Sequence, residues 1–431
     1  MKNYINSLVI AVIVIATSAN VYAQNNRSID NYRQPDQRGI NVFEDPKDTI
    51  STFENIKVKM GGSFALQFQG LDHENSGAVP LAGITPNFNL PTANLDLDVA
   101  LAPGVRMHLR TYLSSRHHHE PYVKGGFFQV DALDFIQEGF LDDVMKYTTI
   151  RIGQMENNYG DAHFRRTDNA QAIYNPFVGN LIMDSFTTEI GAELYYQRNG
   201  FIGMIGATNG KLNQSVVENE NGKSGGASFL AKLGYDKQLN SDLRVRLTAS
   251  LYNSGFIPNL YLYNADRAGS RYYNVLEAET ATSDDFRSGR FAPKFKNSIT
   301  AVMINPFVKY KGLEFFGTIE MNSGTTNSKI DSDGILKPDF DGKTQQYAGE
   351  LIYRFGQSEN FYVAGRYNVV NSEYDGTEDM DITRFQASAG WFMTKNVLAK
   401  LEYVNQSYDG GTGLYDDAQF DGIMFEAVIS F

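Results

Sequence analysis

The stretch LDLDVALAPGVRMHLR, residues 95–110, alternates apolar and polar side chains on both sides of a turn. Side chains along a β-strand point in turn to opposite faces, so this alternation predicts two strands joined by a hairpin at Ala102-Pro103-Gly104. One face of the pair carries only Leu, Val and Met, while the other carries acidic and basic residues. Because unpaired charge is costly to bury in a packed core, the charged face must contact water.

The same alternation recurs along the chain and predicts sixteen strands. Residues 243–251, LRVRLTASL, are a second unbroken example. The predicted strands cover residues 57–69, 93–101, 105–113, 122–132, 147–154, 189–198, 201–208, 227–236, 243–253, 299–310, 313–322, 345–355, 360–370, 382–393, 397–407 and 421–431. An even number of such strands is typical of a single-chain bacterial outer-membrane protein. We therefore expect an all-β fold, a 16-stranded antiparallel transmembrane β-barrel.

The connections between these strands alternate between short and long. Asn199-Gly200 is a short one, and it suits a two-residue hairpin because both positions accept a positive φ. The long ones cover residues 70–92, 155–188, 209–226, 254–298, 323–344, 371–381 and 408–419. This pattern predicts short periplasmic turns, long external loops and both termini on the periplasmic side. The last strand ends at Phe431, which resembles the assembly signal of outer-membrane barrels.

The composition excludes several classes of protein. The 431 residues include no cysteine, which excludes disulfides, thiolate metal sites and a cysteine nucleophile. With 38 Lys+Arg against 50 Asp+Glu the formal net charge is -12, which argues against nucleic acid as the main partner. A mean hydropathy of -0.34 excludes a helical membrane protein, but a barrel hides its apolar residues by alternation.

The first 56 residues form two segments ahead of the barrel. Residues 1–23 have a weakly positive start, the apolar run Leu8–Ala16 and small residues before Gln24, which together predict a cleaved secretory signal peptide. The alternative, a membrane-anchoring helix, needs about 20 apolar residues. Residues 24–56 are polar without a sustained period. We expect them to be a flexible or loosely docked periplasmic lead-in to a barrel that covers residues 57–431.

The parity of the alternation predicts which charged residues face the lumen. The basic ones are Arg106, Arg110, Arg151, Lys232, Arg244, Arg246, Lys309, Arg354, Arg366, Arg384 and Lys400, and the acidic ones are Asp96, Asp98, Glu193, Glu314, Glu320, Glu350, Glu402 and Glu426. This excess of basic residues favours a mild preference for anions, because rings of charge set the selectivity of a pore. The alternative is a solvated polar wall with no selectivity. Sixteen strands enclose a lumen wide enough for an aqueous channel.

A loop is expected to narrow that lumen. Residues 155–188 carry many aromatic side chains, which would be buried if the loop folded inward against the wall. Alternatively the loop packs outside, as a lid or a subunit contact. Inward folding would place Arg165 and Arg166 near the narrowest point. The candidate pore-lining and constriction residues are therefore Arg106, Arg110, Arg151, Arg165, Arg166, Asp96 and Asp98. The longest loop, residues 254–298, is expected at the outer surface.

The segment Thr149–Gln154, TIRIGQ, followed by Tyr159-Gly160, resembles a motif of the phosphate-selective porin family of Gram-negative bacteria. In that family an R-x-G-Q strand leads into the constriction loop, and the likeness in architecture covers residues 57–431. The resemblance implies an outer-membrane porin that passes ions and small hydrophilic solutes by diffusion, as a homotrimer in outer-membrane lipid. The family continues with a basic residue and a proline where Met155–Asn158 stands here, so no phosphate site is carried over.

Enzymatic and metal sites have weaker support in the sequence. It contains no nucleophile elbow, P-loop or dinucleotide-binding glycine motif. His117-His118-His119 would hold a transition metal only weakly. Asp331-Ser332-Asp333-Gly334 starts like a calcium loop, but Gly342 stands where the final Glu belongs. We therefore expect no cofactor, no metal and no enzymatic activity. The alternative is a closed barrel that acts as a surface hydrolase or adhesin, with His108 as the histidine on its inner wall.

Overall fold

The computed structural model of the chain is a closed barrel of sixteen antiparallel strands. It describes residues 29–48, 50–116, 121–218, 225–255, 261–281, 286–293, 295, 298–325, 341–374 and 379–431. Each strand is hydrogen-bonded to its neighbours along the chain, and the first strand is bonded to the last. The sheet thus closes on itself, which removes the exposed edges that an open sheet would present. The predicted fold class is confirmed.

The strands lie close to their predicted positions. They are β1 (Lys57–Glu74), β2 (Asn87–Ala102), β3 (Val105–Leu113), β4 (Tyr122–Val130), β5 (Thr148–Glu156), β6 (Thr188–Arg198), β7 (Phe201–Thr208), β8 (Ser228–Gln238), β9 (Leu243–Ser254), β10 (Ser298–Tyr310), β11 (Leu313–Thr325), β12 (Asp341–Phe355), β13 (Phe361–Tyr374), β14 (Met380–Thr394), β15 (Val397–Gly410) and β16 (Gln419–Ser430). Several extend further toward the long loops than predicted, as β1 does beyond residue 69. Beyond the hydrocarbon both faces of a strand can be wet, so backbone pairing continues there without alternation.

Among the described residues, helical structure lies outside the strands. One short helix, α1 (Asp142–Met145), lies between β4 and β5, and 3₁₀ turns cover Gln37–Gly39, Ala162–Arg165 and Gly413–Tyr415. Within the described residues, no helix is both long enough and apolar enough to cross a membrane.

The register between β1 and β16 keeps like faces together where the barrel closes. Phe68 lies opposite Phe425 on the outside, and Gln67 lies opposite Glu426 on the inside. A slip of one residue would exchange the two faces of a strand, so the apolar–polar alternation specifies this register.

The outer surface of the barrel is apolar at mid-strand and aromatic near the short turns. Leu247, Leu401 and Phe425 all point outward and are 55%, 49% and 44% exposed. Near the short turns Phe361 stacks on Trp391, with ring centroids 5.6 Å apart. An apolar band bordered by aromatic side chains is the surface that a transmembrane barrel presents to lipid.

Cysteine labelling should report which end of the barrel faces outward. The native chain has no cysteine, so single cysteines can be placed at Asn264, in the long loop after β9, and at Lys395, in the β14–β15 turn; both positions are exposed. With the long loops outside, N264C should react with an impermeant thiol reagent on intact cells, whereas K395C should react only after permeabilisation. Labelling of K395C but not N264C on intact cells would reverse the orientation.

Candidate functional site

The β5–β6 loop, residues 157–187, lies inside the barrel. Its centre is completely buried, and its backbone amides are bonded to side chains of the wall. The amide of Val178 donates to Glu402 Oε2 at 2.7 Å, that of Ile182 donates to Asn368 Oδ1 at 2.7 Å, and that of Met183 donates to Gln346 Oε1 at 2.8 Å. The apolar centre of the loop can therefore be buried against a polar wall, because side chains of the wall accept hydrogen bonds from its backbone amides.

The β9–β10 loop, residues 255–297, also enters the lumen, and the prediction that it lies at the outer surface is wrong for most of its described residues. Tyr263 and Tyr272 are completely buried. Their hydroxyls donate to Glu320 Oε1 at 2.7 Å and to Glu402 Oε1 at 3.0 Å. A tyrosine can bury its ring while its hydroxyl reaches a polar wall, so a loop rich in Tyr suits the inside of this barrel.

The N-terminal segment, residues 29–56, fills the end of the lumen near the short turns. Phe43 is 2% exposed and packs edge-on against Phe164 and Phe307, with centroid distances of 5.9 and 5.5 Å. The backbone amide of Gln37 donates to the carbonyl of Lys395, in the β14–β15 turn, at 2.8 Å. The expected loosely docked lead-in is thus held in place over much of its described length. Its polar composition suits a charged wall as well as it suits water.

A cavity of about 160 Å³ remains between the N-terminal segment, the β5–β6 loop and strands β2–β5. Five of the seven predicted site residues line it, namely Asp96, Asp98, Arg106, Arg110 and Arg151. A second cavity of about 360 Å³ adjoins it at the N-terminal segment, since both contain Phe43 and Asp45 in their linings. The first cavity therefore lies against the charged residues of β2, β3 and β5, whereas the second lies against the β6–β7 hairpin, Asp236 of β8 and Arg244 of β9.

Charge along this wall is arranged in adjacent pairs. Arg110 forms a two-pronged ion pair with Asp96, with Nε–Oδ1 and Nη2–Oδ2 distances of 2.8 and 2.7 Å. At the neighbouring inward position, two residues along each strand, His108 Nδ1 lies 2.8 Å from Asp98 Oδ1. Each inward carboxylate of β2 thus faces a basic group of β3, as the antiparallel register of the two strands requires.

Arg106 and Arg151 differ from Arg110 in their partners. Both guanidinium groups donate to the side-chain oxygen of Gln129, at 2.8 Å each. Both also donate to the same oxygen, Oδ2, of Asp45, which belongs to the N-terminal segment. The nearest wall carboxylate to Arg106, that of Asp98, is 4.0 Å away. The main anionic partner of this arginine pair is therefore supplied from outside the strands.

The structure places Arg165 and Arg166 away from the cavity. Arg165 Nη2 lies 2.7 Å from Glu314 Oε1, and Arg166 Nη2 lies 2.6 Å from both Asp184 Oδ2 and Asp266 Oδ2. Both side chains are about 4% exposed. These ion pairs fix the inserted loops to the wall and to each other. The aromatic content of the loop predicts its inward position, but it does not tell which carboxylates its arginines would meet.

A buried ionic cluster joins the N-terminal segment, the β5–β6 loop and the wall. Arg246 contacts Asp161 Oδ2 through Nε at 2.7 Å and Glu44 Oε2 through Nη1 at 2.8 Å. Lys232 lies 3.1 Å from Asp161 Oδ1. Burial acts to raise the pKa of the Asp161 carboxyl, but the charges of Arg246 and Lys232 outweigh it and hold that pKa below its ordinary value. The cluster ties the two inserted segments to one place on the wall.

Sequence reasoning missed the acidic residues that complete these sites, chiefly Glu44, Asp45 and Asp161. They lie outside the strands, where no alternation assigns a direction to a side chain. One signal was present, because the predicted inner wall has eleven basic residues against eight acidic ones. Since buried charge needs a partner, this imbalance indicates that acidic side chains from inserted segments enter the lumen.

Among the residues that the structure describes, no group of three or more His, Asp or Glu side chains is placed to hold a metal ion. His117-His118-His119 and Asp331-Ser332-Asp333-Gly334 lie outside the described residues, as do residues 1–23.

Solved structures with a similar barrel are outer-membrane porins and related outer-membrane proteins. The anion-selective porin from Comamonas acidovorans has 10% identity and a TM-score of 0.52, over 88% of this chain and 100% of that chain. OprB of Pseudomonas putida has 11% identity and a TM-score of 0.51, over 87% and 94%. The chain folds as a porin-like barrel. The loop L8 deletion mutant of OmpT, an outer membrane protein of Vibrio cholerae, has 11% identity and a TM-score of 0.51, over 88% and 100%. No protein-family model and no curated protein matches the sequence.

Proposed function

We propose that this protein is an outer-membrane porin of a Gram-negative bacterium, through which ions and small hydrophilic solutes diffuse passively. One observation carries the proposal. A closed barrel with an apolar exterior retains a polar cavity beside β2–β5, lined by charged side chains, although inserted segments fill much of the lumen. A barrel that served only as a scaffold has no need for this lining, whereas a pore for hydrophilic solutes requires it.

The route for solutes follows the wall of β2–β5. The charged side chains that line the cavity are five basic ones and four acidic ones, so the net preference should be for anions but mild; they are Arg33, Arg106, Arg110, Lys124, Arg151, Asp45, Asp96, Asp98 and Glu156. Arg165 and Arg166 have a different role in the proposed pore. They hold in place the β5–β6 and β9–β10 loops, which narrow the lumen. Charge acts over a Debye length of about 8–10 Å, so the residues at the narrow cavity dominate selectivity.

The finer assignment to the phosphate-selective porins rests on Arg151-Ile152-Gly153-Gln154 in β5, which leads into an inserted loop as the motif implies. No phosphate site is proposed, because Met155 and Glu156 replace the basic residue and proline of that family. A homotrimer is proposed on the same resemblance. Chemical cross-linking of the purified protein, followed by electrophoresis, should give a trimer band, and a monomer alone would overturn this part of the proposal.

The hydrolase alternative requires a nucleophile near His108. His108 is paired with Asp98, as a catalytic histidine can be, but the described residues that line the cavity include no Ser, Thr or Cys. The pair more simply neutralises charge along the wall. The geometry thus supports a pore better than an acyl-transfer site.

Conductance of the purified protein in planar bilayers tests the function. We expect discrete single-channel steps and a reversal potential of modest anion-selective sign in a KCl gradient. A unit charge about 4 Å from an ion in water contributes about 1 kcal/mol. Arg110→Gln should therefore lower the anion-to-cation permeability ratio by about fivefold. The control is Lys311→Gln, which removes an equal charge from an exposed turn. Absence of conductance steps would contradict the proposal that the protein is a pore. A cation-selective native channel would contradict the proposed preference for anions.

A further inference from the structure

Two consecutive acidic residues of the N-terminal segment contact different parts of the wall. Glu44 contacts Arg246 of β9 and lies in the buried ionic cluster, where its side chain is 4% exposed. Asp45 points the other way, to Arg106 of β3 and Arg151 of β5. The side chains of Asp45 and Arg151 are each 17% exposed and border the cavity of about 160 Å³. Glu44 therefore anchors the segment, while Asp45 occupies a place that a solute in the cavity can reach.

The arginine pair is built to hold an anion. Both guanidinium groups converge on one carboxylate oxygen, and Gln129 fixes both of them from behind with a single acceptor oxygen. The wall carboxylate opposite Arg151 in the register is Glu193, which instead accepts from the backbone amide of Asn158 and from Tyr195. The wall alone thus leaves this pair of guanidinium groups short of anionic partners.

We propose that Arg106, Arg151 and Gln129 form a binding site for the carboxylate group of small organic acids, and that Asp45 occupies this site in the absence of solute. This inference rests on the proposed function, since it names a class of solute for the same cavity. Asp45 presents the carboxylate that the site recognises, and charge-assisted hydrogen bonds from guanidinium groups to a carboxylate are strong and directional. The solute carboxylate displaces that of Asp45.

The surroundings of the site favour a small acid with an apolar body. The Arg151 guanidinium lies 5.3 Å from the ring centroid of Phe127 and 5.2 Å from that of Tyr195, so the site has aromatic walls. A cavity of about 160 Å³ is smaller than the roughly 300–1,000 Å³ of pockets for drug-sized ligands. It suits acids with a few carbon atoms.

Displacement of Asp45 needs only a local change. On one side Glu44 is held in the ionic cluster, and on the other Lys47 donates to Asp131 Oδ1 at 2.8 Å and to the carbonyl of Thr148. These two anchors keep the backbone of the segment in place. The carboxylate of Asp45 can therefore leave the arginine pair by rotation of its side chain, without withdrawal of the whole segment.

The test is the binding of propionate to the full-length, detergent-solubilised protein, measured by NMR line broadening of ¹³C-labelled propionate. Asp45→Asn removes the competing charge, so the dissociation constant for propionate should fall about tenfold, because a guanidinium group binds an ionised carboxylate more strongly than a neutral amide. Asp36→Asn is the control. It removes an equal charge from the same segment, where Asp36 pairs with Arg38, and should change nothing. Adding Arg151→Gln to the Asp45→Asn variant should abolish the gain.

Each outcome decides the inference. Equal propionate affinity in the wild type and in D45N, or equal gains in D36N and D45N, would overturn it. So would tighter binding of inorganic phosphate, or of uncharged propionamide, than of propionate to D45N. If D45N fails to fold, as judged by heat-modifiable mobility in gels, Asp45→Ser provides a second variant without the carboxylate. Binding is measured without conduction, so a protein that binds propionate in this pattern but passes no current would refute the pore and not the site.

Discussion

Replacing Asp161 by alanine should lower the free energy of unfolding by about 3–5 kcal/mol, because it removes one partner from a buried ionic cluster. Asp161 is completely buried, and its carboxylate accepts from Arg246 at 2.7 and 2.9 Å and from Thr248 at 2.7 Å. Without it, Lys232 would keep Glu44 at 3.7 Å, and Arg246 would keep Glu44 at 2.8 Å and Asp236 at 3.0 Å. The uncompensated charge, rather than the lost bonds themselves, accounts for most of the expected cost.

Urea unfolding in detergent micelles, followed by the fluorescence of Trp391, measures this change. The control is Asp242→Ala. Asp242, in the β8–β9 turn, forms an exposed ion pair with Lys311, in the β10–β11 turn, and the distance from its Oδ2 to Lys311 Nζ is 3.7 Å. Exposed pairs contribute about 0–1 kcal/mol, so D242A should be nearly neutral. If both variants lose the same small amount, water reaches the cluster and its burial does not control stability.

An arginine at Leu401 should cost about 2–4 kcal/mol, since a charged side chain on the lipid face near the midplane cannot be solvated there. Leu401 points outward from β15 and is 49% exposed. The same substitution at Val58, which is 63% exposed and lies at the start of β1, should cost about 0–1 kcal/mol because it is close to the interface.

Folding into lipid vesicles at a series of urea concentrations measures both variants. Equal penalties at Leu401 and Val58 would place them at the same depth, or would show that the hydrocarbon does not lie where the apolar band indicates. Either result would require the position of the barrel in the membrane to be redrawn.

The wall of the barrel could be predicted from the sequence, and its contents could be predicted only in part. Alternation settles the wall because it repeats a physical constraint, lipid on one face and water on the other, at every second residue. It places Asp96 and Arg110 on the same face, and the register then pairs them. The inserted segments have no such period. Tyr272 in a loop is equally compatible with the surface and with a polar interior.

The ion-pair partners that meet across the lumen could not be predicted from the sequence, for a related reason. Arg165 was expected at the constriction but is neutralised by Glu314 and Glu350, which lie on β11 and β12. These contacts depend on how the loop folds back, and the spacing of residues along the chain does not specify that path. The excess of basic over acidic residues on the wall could be predicted, whereas the acidic residue that neutralises each of them could not.

The contacts of the N-terminal segment bear on the order in which the molecule assembles. Gln37 is bonded to the carbonyl of Lys395, 358 positions further along the chain, and Glu44 is paired with Arg246, 202 positions further along. Its docking site exists only when strands from β3 to β15 are in place. Contacts between residues so distant in sequence form slowly. We therefore expect the residues that precede the whole barrel to reach their native positions late, and the lumen of a newly closed barrel to be wider until they dock.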